Sequence, residues 1–335
     1  MGVGENDKLI LTGSDSEVSI KNIINADDNL IIEEGGTIVI EAKTLGVVRK
    51  IDSDFINFEI IDGNLVKISG DSSEFKINAI NANDYPNIDF EKGNKSISID
   101  SNILRNVIES TTFAASDKEN RPILTGVNFK SEEGILEAVC TDSFRLAKKV
   151  IRVDNLYDFN VTIPAKILND VAKILDHEGN VSFFVTDKKI QFEFSNTIIQ
   201  SRLIDGKYPD TSKLIPISFT SKLTLNSQDI LNAIDRASFI KNDGIAVVKL
   251  TLSSSEAIVS SNSQKIGSSK EELLYENYQG DPISISFLGK YVYDAVRYLN
   301  TNKVSIEFTT DMKPFVIRDI ENDSTLQLIV PVRTY

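Results

Sequence analysis

The sequence predicts an α+β fold made of three copies of one domain, each with helices packed on antiparallel sheets. Three observations carry this. A helical segment recurs as EAKTLGVVRKI from Glu41, PAKILNDVAKIL from Pro164 and LGKYVYDAVRYL from Leu288, with Lys43, Lys166 and Lys290 in matching places. Self-similarity at a long fixed period is the signature of repeated structural units. Each copy is followed by alternating runs, NFEIIDGNLVKISG, VSFFVTDKKIQFEF and VSIEFTTDMKPFVI, which read as antiparallel hairpins around short polar turns. The chain has 335 residues, more than one hydrophobic core usually serves.

Taken in order, the first copy begins at the strand containing LILTG and continues into TGSDSEVSI from Thr12. Its opening strand and helix, present in the other copies, are missing from this sequence. The helix at 41–51 follows the apolar pattern loosely, with Leu45 and Val48 in register but Arg49 and Asp52 in the remaining places. In the second copy SNILRNVIESTTF opens on Ser101, and in the third SQDILNAIDRASF opens on Ser227. Each serine is suited to N-capping a helix. Strand pairs follow, LTGVNFK with TDSFRLAKK from Thr141 and AVVKLTL with SNSQKIGSS from Ser261. Leu168, Val171, Ala172 and Leu175, like Val292, Ala295, Val296 and Leu299, fall at i, i+3, i+4 and i+7, so each of these helices has one buried face. Tyr85-Pro86 and Tyr208-Pro209 close the first two copies. The domains are therefore expected at 1–90, 91–216 and 217–335.

Composition narrows the class. Hydrophobic residues make up 41% and charged residues 25%, values of a folded domain rather than a disordered or fibrous one. No apolar stretch reaches membrane-helix length, and the start lacks the basic and apolar parts of a signal peptide, so a cytoplasmic protein with no membrane contact is expected. Cys140 is the single cysteine and His177 the single histidine, too few for a Cys/His metal site; no cofactor is expected. There is no Gly-rich phosphate loop and no Ser-His-Asp set, and Asp142 beside Arg145 reads as ordering a turn, so the chain is expected not to be an enzyme.

The formal charge of −13 opposes binding to nucleic acid, whose phosphates attract lysine and arginine. Its distribution runs the other way. The five helical segments, 41–51, 101–113, 164–176, 227–241 and 287–300, hold ten basic and seven acidic residues, a net of +3 that leaves −16 for the rest of the chain. Lys43 with Lys50, Lys166 with Lys173, and Lys290 with Arg297 form an i, i+7 basic pair in each repeated helix. The pair starts two residues before the apolar row and so lies about 200° round the helix from it. Asp170 and Asp294 interrupt two of the pairs. For one helix a basic face opposite an apolar row is ordinary solvated surface; three copies in register suggest a basic lining.

With the repeats in hand, TDSFRLA at Thr141, SRLIDGKYPD at Ser201 and the terminal VPVRTY at Val330 resemble the bacterial β sliding clamp family, the processivity subunit of DNA polymerase III. The resemblance runs through the whole chain except the absent start of the first domain. It implies three clamp domains, a head-to-tail homodimeric ring around double-stranded DNA, and sequence-independent phosphate contacts that permit sliding. The implied partners are the polymerase III catalytic subunit, the clamp loader and other clamp-binding-motif proteins, and the implied location is the nucleoid-associated cytoplasm.

The same resemblance implies a peptide-binding pocket made by Leu124, Thr141, Ser143, Phe144, Arg145, Leu146, Pro209, Lys213, Leu214 and Tyr291, with Leu328, Val330, Pro331, Val332 and Arg333 of the tail. Taken alone, Leu124, Leu146, Leu214 and Val330 read as ordinary core residues. Phe144 stands where the family often has histidine, Lys213 where arginine is common, and Thr334 and Tyr335 extend past the usual end. For the ring interface the resemblance points to Phe239 and Ile240 meeting an edge strand with Phe75 and Ile77, although Phe239 fits a core position equally well. Lys118 and Arg121, in the loop SDKENRP, correspond to a loop that touches DNA. The rival from a different class is a β-rich protein-binding scaffold without DNA retention.

Overall fold

The computed structural model describes every residue except Met1, Glu5, Asn6, Gly63, Asn64, Asn155, Leu156, Thr334 and Tyr335. The chain forms two compact units, Met1–Lys95 with Val181–Arg202, and Ser96–Asn180 with Leu203–Tyr335. The units cut across the repeats, because the closing hairpins of the second repeat pair with the first.

In the first unit the strands Gly2–Gly4, Lys8–Ser14, Val18–Asn25, Thr197–Arg202, Lys189–Phe194 and Asn180–Val185 lie side by side in that order. The join between repeats is antiparallel, with Ile20 opposite Ile199. A separate small sheet of Asn57–Asp62, Leu65–Ser69 and Glu74–Asn78 packs Val66 and Ile68 against Ile38 and Ile51.

The repeated segment of this unit departs from the helix expected at 41–51. Ala42–Lys50 is a 3-10 helix with no buried residue. Gly46 and the β-branched Thr44, Val47 and Val48 disfavour an α-helix here. At 3.0 residues per turn an i, i+7 pair is separated by about 120°, so Lys43 and Lys50 do not share a face as the α-helical reading requires.

In the second unit nine strands form one sheet in the order Phe159–Pro164, Gly126–Glu132, Ile135–Thr141, Arg145–Arg152, Thr325–Ile329, Phe315–Asp319, Lys303–Phe308, Ser221–Asn226 and Asn277–Gly280. Its centre is again an inter-repeat join, Leu146 opposite Leu328. A four-stranded sheet follows the order Gly267–Glu272, Ala257–Ser263, Val247–Leu252 and Ile283–Leu288. Four helices pack on these sheets in pairs: α1 (Ser101–Thr112) with α2 (Ala165–Ile174), and α3 (Ser227–Ala237) with α4 (Gly289–Leu299). Their buried faces follow the expected spacing, Leu168, Val171 and Leu175 in one case, with Ala172 only half-buried, and Val292, Ala295, Val296 and Leu299 in the other. Beneath α3 and α4 lies an aromatic core, with Phe315 5.6 Å from Phe287 and 5.4 Å from Phe308 between ring centroids. Gly289 lets α4 start close against the end of α3, since a Cβ there would meet Ser238 Oγ at 2.5 Å.

The caps fall one residue earlier than the serines. Asp100 accepts from the backbone N–H groups of Asn102 and Ile103, and Asn226 from that of Gln228. Ser101 and Ser227 are the first helical residues and are buried. Asp100→Ala is accordingly expected to cost about 1 kcal/mol, read as a lower urea midpoint. A larger loss for Ser101→Ala would contradict the assignment.

Candidate functional site

The turn from Thr141 to Arg145 is built by its own side chains. Asp142 Oδ1 accepts from the N–H groups of Phe144 (2.8 Å) and Arg145 (2.9 Å). Thr141 Oγ1 accepts from Ser143 N (3.1 Å) and donates to the Arg145 carbonyl (2.6 Å). Ser143 takes a positive φ of 81° at the apex, a conformation that costs energy for a non-glycine residue and is held by these bonds. Asp142 thus orders a turn, as the sequence suggests.

Below the turn an apolar cluster joins three segments: Val139 and Leu146 from the middle repeat, Val316, Leu326 and Leu328 from the third, and Ile215 and Phe219 from the connection. Tyr208 and Val330 pack on its edge. Tyr208 also accepts from Thr141 N at 3.1 Å, and burial pushes its phenol above the ordinary value, so it stays protonated. The last strand is fastened to the turn by Val330 N donating to the Phe144 carbonyl (2.9 Å), and Val332 N donates to the Ser286 carbonyl (2.8 Å).

Around this cluster the structure gathers most of the expected pocket. Phe144 and Leu214 are 55% and 52% exposed, which removes both from the core. Ser143, Pro209, Lys213 and Arg333 are exposed, and Pro331 and Val332 half-buried. Thr334 and Tyr335 lie outside the described residues. Leu124 is buried in the turn Pro122–Thr125 and does not belong to the cluster.

Arg145 is the best-held charge here. Only 8% exposed, it donates from Nε to Asp142 Oδ2 (3.1 Å) and from Nη1 to Asp294 Oδ2 (2.8 Å). Its guanidinium lies 4.6 Å from the Tyr291 ring centroid and 5.4 Å from that of Phe113. Burial, followed by the Asp142 carboxylate, raises the Tyr291 phenol. Asp294 and Phe113 were not among the sequence candidates; the only signal was Asp294's place inside the basic pair of α4.

The cations expected to face DNA are on the surface. Lys166, Lys173, Lys290 and Arg297 on α2 and α4 are exposed, as are Lys43, Lys50, Lys118 and Arg121. Three of them meet nearby carboxylates: Lys43 pairs with Glu41 (2.5 Å), Lys173 with Asp170 (2.9 Å) and Lys290 with Asp294 (2.8 Å). The first two are exposed on both sides and therefore weak, while in the third an exposed lysine meets the buried Asp294. Arg121 Nη1 donates to Ser143 Oγ at 3.2 Å, so its loop reaches the turn. Of the interface candidates, Phe239 is 78% and Phe75 36% exposed, which leaves no core role for Phe239. Its neighbour Ile240 is 9% exposed and buried within the chain, and Ile77 packs on the small core of the first repeat.

Among the described residues no group of three or more His, Cys, Asp or Glu could hold a metal, and no helix is long and apolar enough to cross a membrane. Cys140 is fully buried, and burial raises its thiol well above the ordinary value, leaving it unreactive.

Family models of the DNA polymerase III beta subunit match the chain in sequence order: the N-terminal domain at residues 3–89, the central domain at 98–210 and the C-terminal domain at 212–333. The beta sliding clamp of Bacillus subtilis is 37% identical over 99% of this chain and 91% of its own length. That of Staphylococcus aureus is 34% identical over 98% and 89%. The crystal structure of the Bacillus subtilis DNA polymerase sliding clamp superposes with a TM-score of 0.94, covering 100% of this chain and 90% of the other. A polymerase III beta chain from Streptococcus pneumoniae gives 0.93 at 31% identity, covering 99% and 90%. On these grounds the chain belongs to the DNA polymerase III beta subunit family, the non-catalytic beta sliding clamps.

Proposed function

We propose that two copies of this chain close head to tail into a ring around duplex DNA, and that the pocket beside Arg145 tethers the replicative polymerase, the clamp loader and other clamp-binding proteins to it. The observation that carries this is the strand-pairing rule. Twice, the strand after the turn of one repeat pairs with the last strand of the next: Val18–Asn25 with Thr197–Arg202, and Arg145–Arg152 with Thr325–Ile329. The same positions leave two strands paired on one side only among the described residues, Gly267–Glu272 of the third repeat and Glu74–Asn78 of the first. A third use of the rule joins them between copies and removes both exposed edges.

Phe75 and Ile77 lie on one of these edges. Phe239 and Ile240 follow α3, whose end lies against Ala257–Ser263 through Ser261 Oγ donating to the Ala237 carbonyl. Phe239 is then the residue that meets the partner, and Ile240 supports it from inside. The repeats act as domains at 1–90, 91–216 and 217–335. Lys166, Lys173, Lys290 and Arg297 line the hole, joined by Lys43, Lys50, Lys118 and Arg121. Work on chromosomal DNA places the protein in the cytoplasm.

A ring holds DNA by topology rather than affinity. Protein loaded on a nicked circle is expected to stay through gel filtration and to slide off once the circle is cut. Equal retention on both forms contradicts a ring, and no retention on either favours the scaffold reading.

A further inference from the structure

We propose that peptide occupancy of the pocket and DNA engagement by α4 are coupled through Arg145, each tightening the other. This rests on the pocket and lining assignments above. Asp294 Oδ2 accepts from two cations at once, Arg145 Nη1 and Lys290 Nζ, both at 2.8 Å. The two differ in exposure: Asp294 and Arg145 are buried, while the Lys290 side chain is 75% exposed. A DNA phosphate that draws Lys290 away leaves the carboxylate wholly to Arg145.

That change reaches the pocket because Arg145 is also pocket wall. Its carbonyl takes the Thr141 hydroxyl, and the carbonyl before it takes Val330 N. Firmer anchoring of Arg145 pre-organises the turn and the last strand that a peptide must find in place. A second connection ends on the other lining cation of α4. Arg145 lies over Phe113, Phe113 stacks on Tyr298 with centroids 4.7 Å apart and planes 10° from parallel, and Arg297 sits 5.9 Å from the Tyr298 ring. Lys290 is thus one group removed from Arg145, through Asp294, and Arg297 two, through Tyr298 and Phe113. Coupling of binding equilibria is reciprocal, so the peptide strengthens the hold on DNA by the same factor.

The test uses the full chain and a fluorescent clamp-binding peptide of the replicative polymerase, with affinity read by anisotropy. Lys290→Ala, which mimics withdrawal of the lysine, is expected to tighten peptide binding about fivefold. In the Asp294→Asn background the same change should have no effect, and Lys249→Ala, an exposed strand lysine elsewhere, should match wild type. Lys290→Ala removes only an exposed side chain, so it reads the coupling even if Asp294→Asn fails to fold. A short duplex titrated with and without saturating peptide should bind about fivefold tighter with it. Unchanged peptide affinity in Lys290→Ala together with equal duplex affinities overturns the coupling while leaving the pocket intact. Absence of any peptide binding by the wild type overturns the pocket assignment itself, and the coupling with it.

Discussion

Arg145→Ala is expected to destabilise the second unit by about 3–5 kcal/mol, the cost of leaving a buried charge without its partner, and to abolish peptide binding. Arg145 is 8% exposed and its side chain is shared by Asp142 and Asp294, the latter also 8% exposed. Removing it leaves Asp294 with Lys290 as its cation and Asp142 with the backbone N–H groups of the turn, and withdraws the guanidinium from the Tyr291 and Phe113 rings. Exposure separates this pair from the exposed ones. Lys265 and Asp243, at 82% and 89% side-chain exposure, form a contact that water and salt largely replace. Arg145→Lys keeps the charge but loses the planar fork that reaches two carboxylates at once, so it should recover only part of the loss. Urea unfolding and peptide anisotropy read the two effects separately. A stability loss below about 1 kcal/mol would mean that Lys290, the turn amides and water satisfy the two carboxylates without Arg145, the behaviour of an exposed pair rather than a buried one.

Why Arg145 itself was legible and its partner was not follows from chain separation. The turn TDSFR is local: every bond that shapes it spans four residues or fewer. Asp294 is 149 residues away, and no periodicity links the two. Read along the sequence it only interrupts a basic pair; in the fold it joins Lys290 to Arg145. The helices α1 to α4 were legible because each carries a 3.6-residue apolar row over two or more turns. The starts of α1 and α3 were displaced because Asp100-Ser101 and Asn226-Ser227 each offer two adjacent capping residues. Which of them leaves the extended conformation is decided by where the preceding strand ends. Phe239 and Ile240 have the same apolar character, yet one is 78% and the other 9% exposed. They follow the end of α3, where the helical period no longer assigns a face. The first repeat lost its helix to local composition, Gly46 among β-branched neighbours, which tertiary packing does not override because none of Ala42–Lys50 is buried.

Deleting residues 331–335 is expected to weaken peptide binding by about thirtyfold, the effect of losing a well-packed apolar wall worth about 2 kcal/mol, while leaving fold and self-association unchanged. The expectation rests on Pro331, Val332 and Arg333, since the two residues after them lie outside the described part of the chain. Pro331 and Val332 are half-buried and continue directly from Val330, which packs on the apolar cluster and is fastened to the Phe144 carbonyl. The deletion keeps Val330 and that bond. Of the backbone contacts it removes Val332 N to the Ser286 carbonyl, a net loss of about 1 kcal/mol, too little to unfold the nine-stranded sheet. The edges proposed to close the ring, Gly267–Glu272 and Glu74–Asn78, contain no tail residue, so the mass in solution should not change. Wild-type peptide affinity in the shortened chain would move the pocket off the tail and onto the Phe144 and Leu214 side alone. Loss of the dimer would instead mean that the tail takes part in closing the ring.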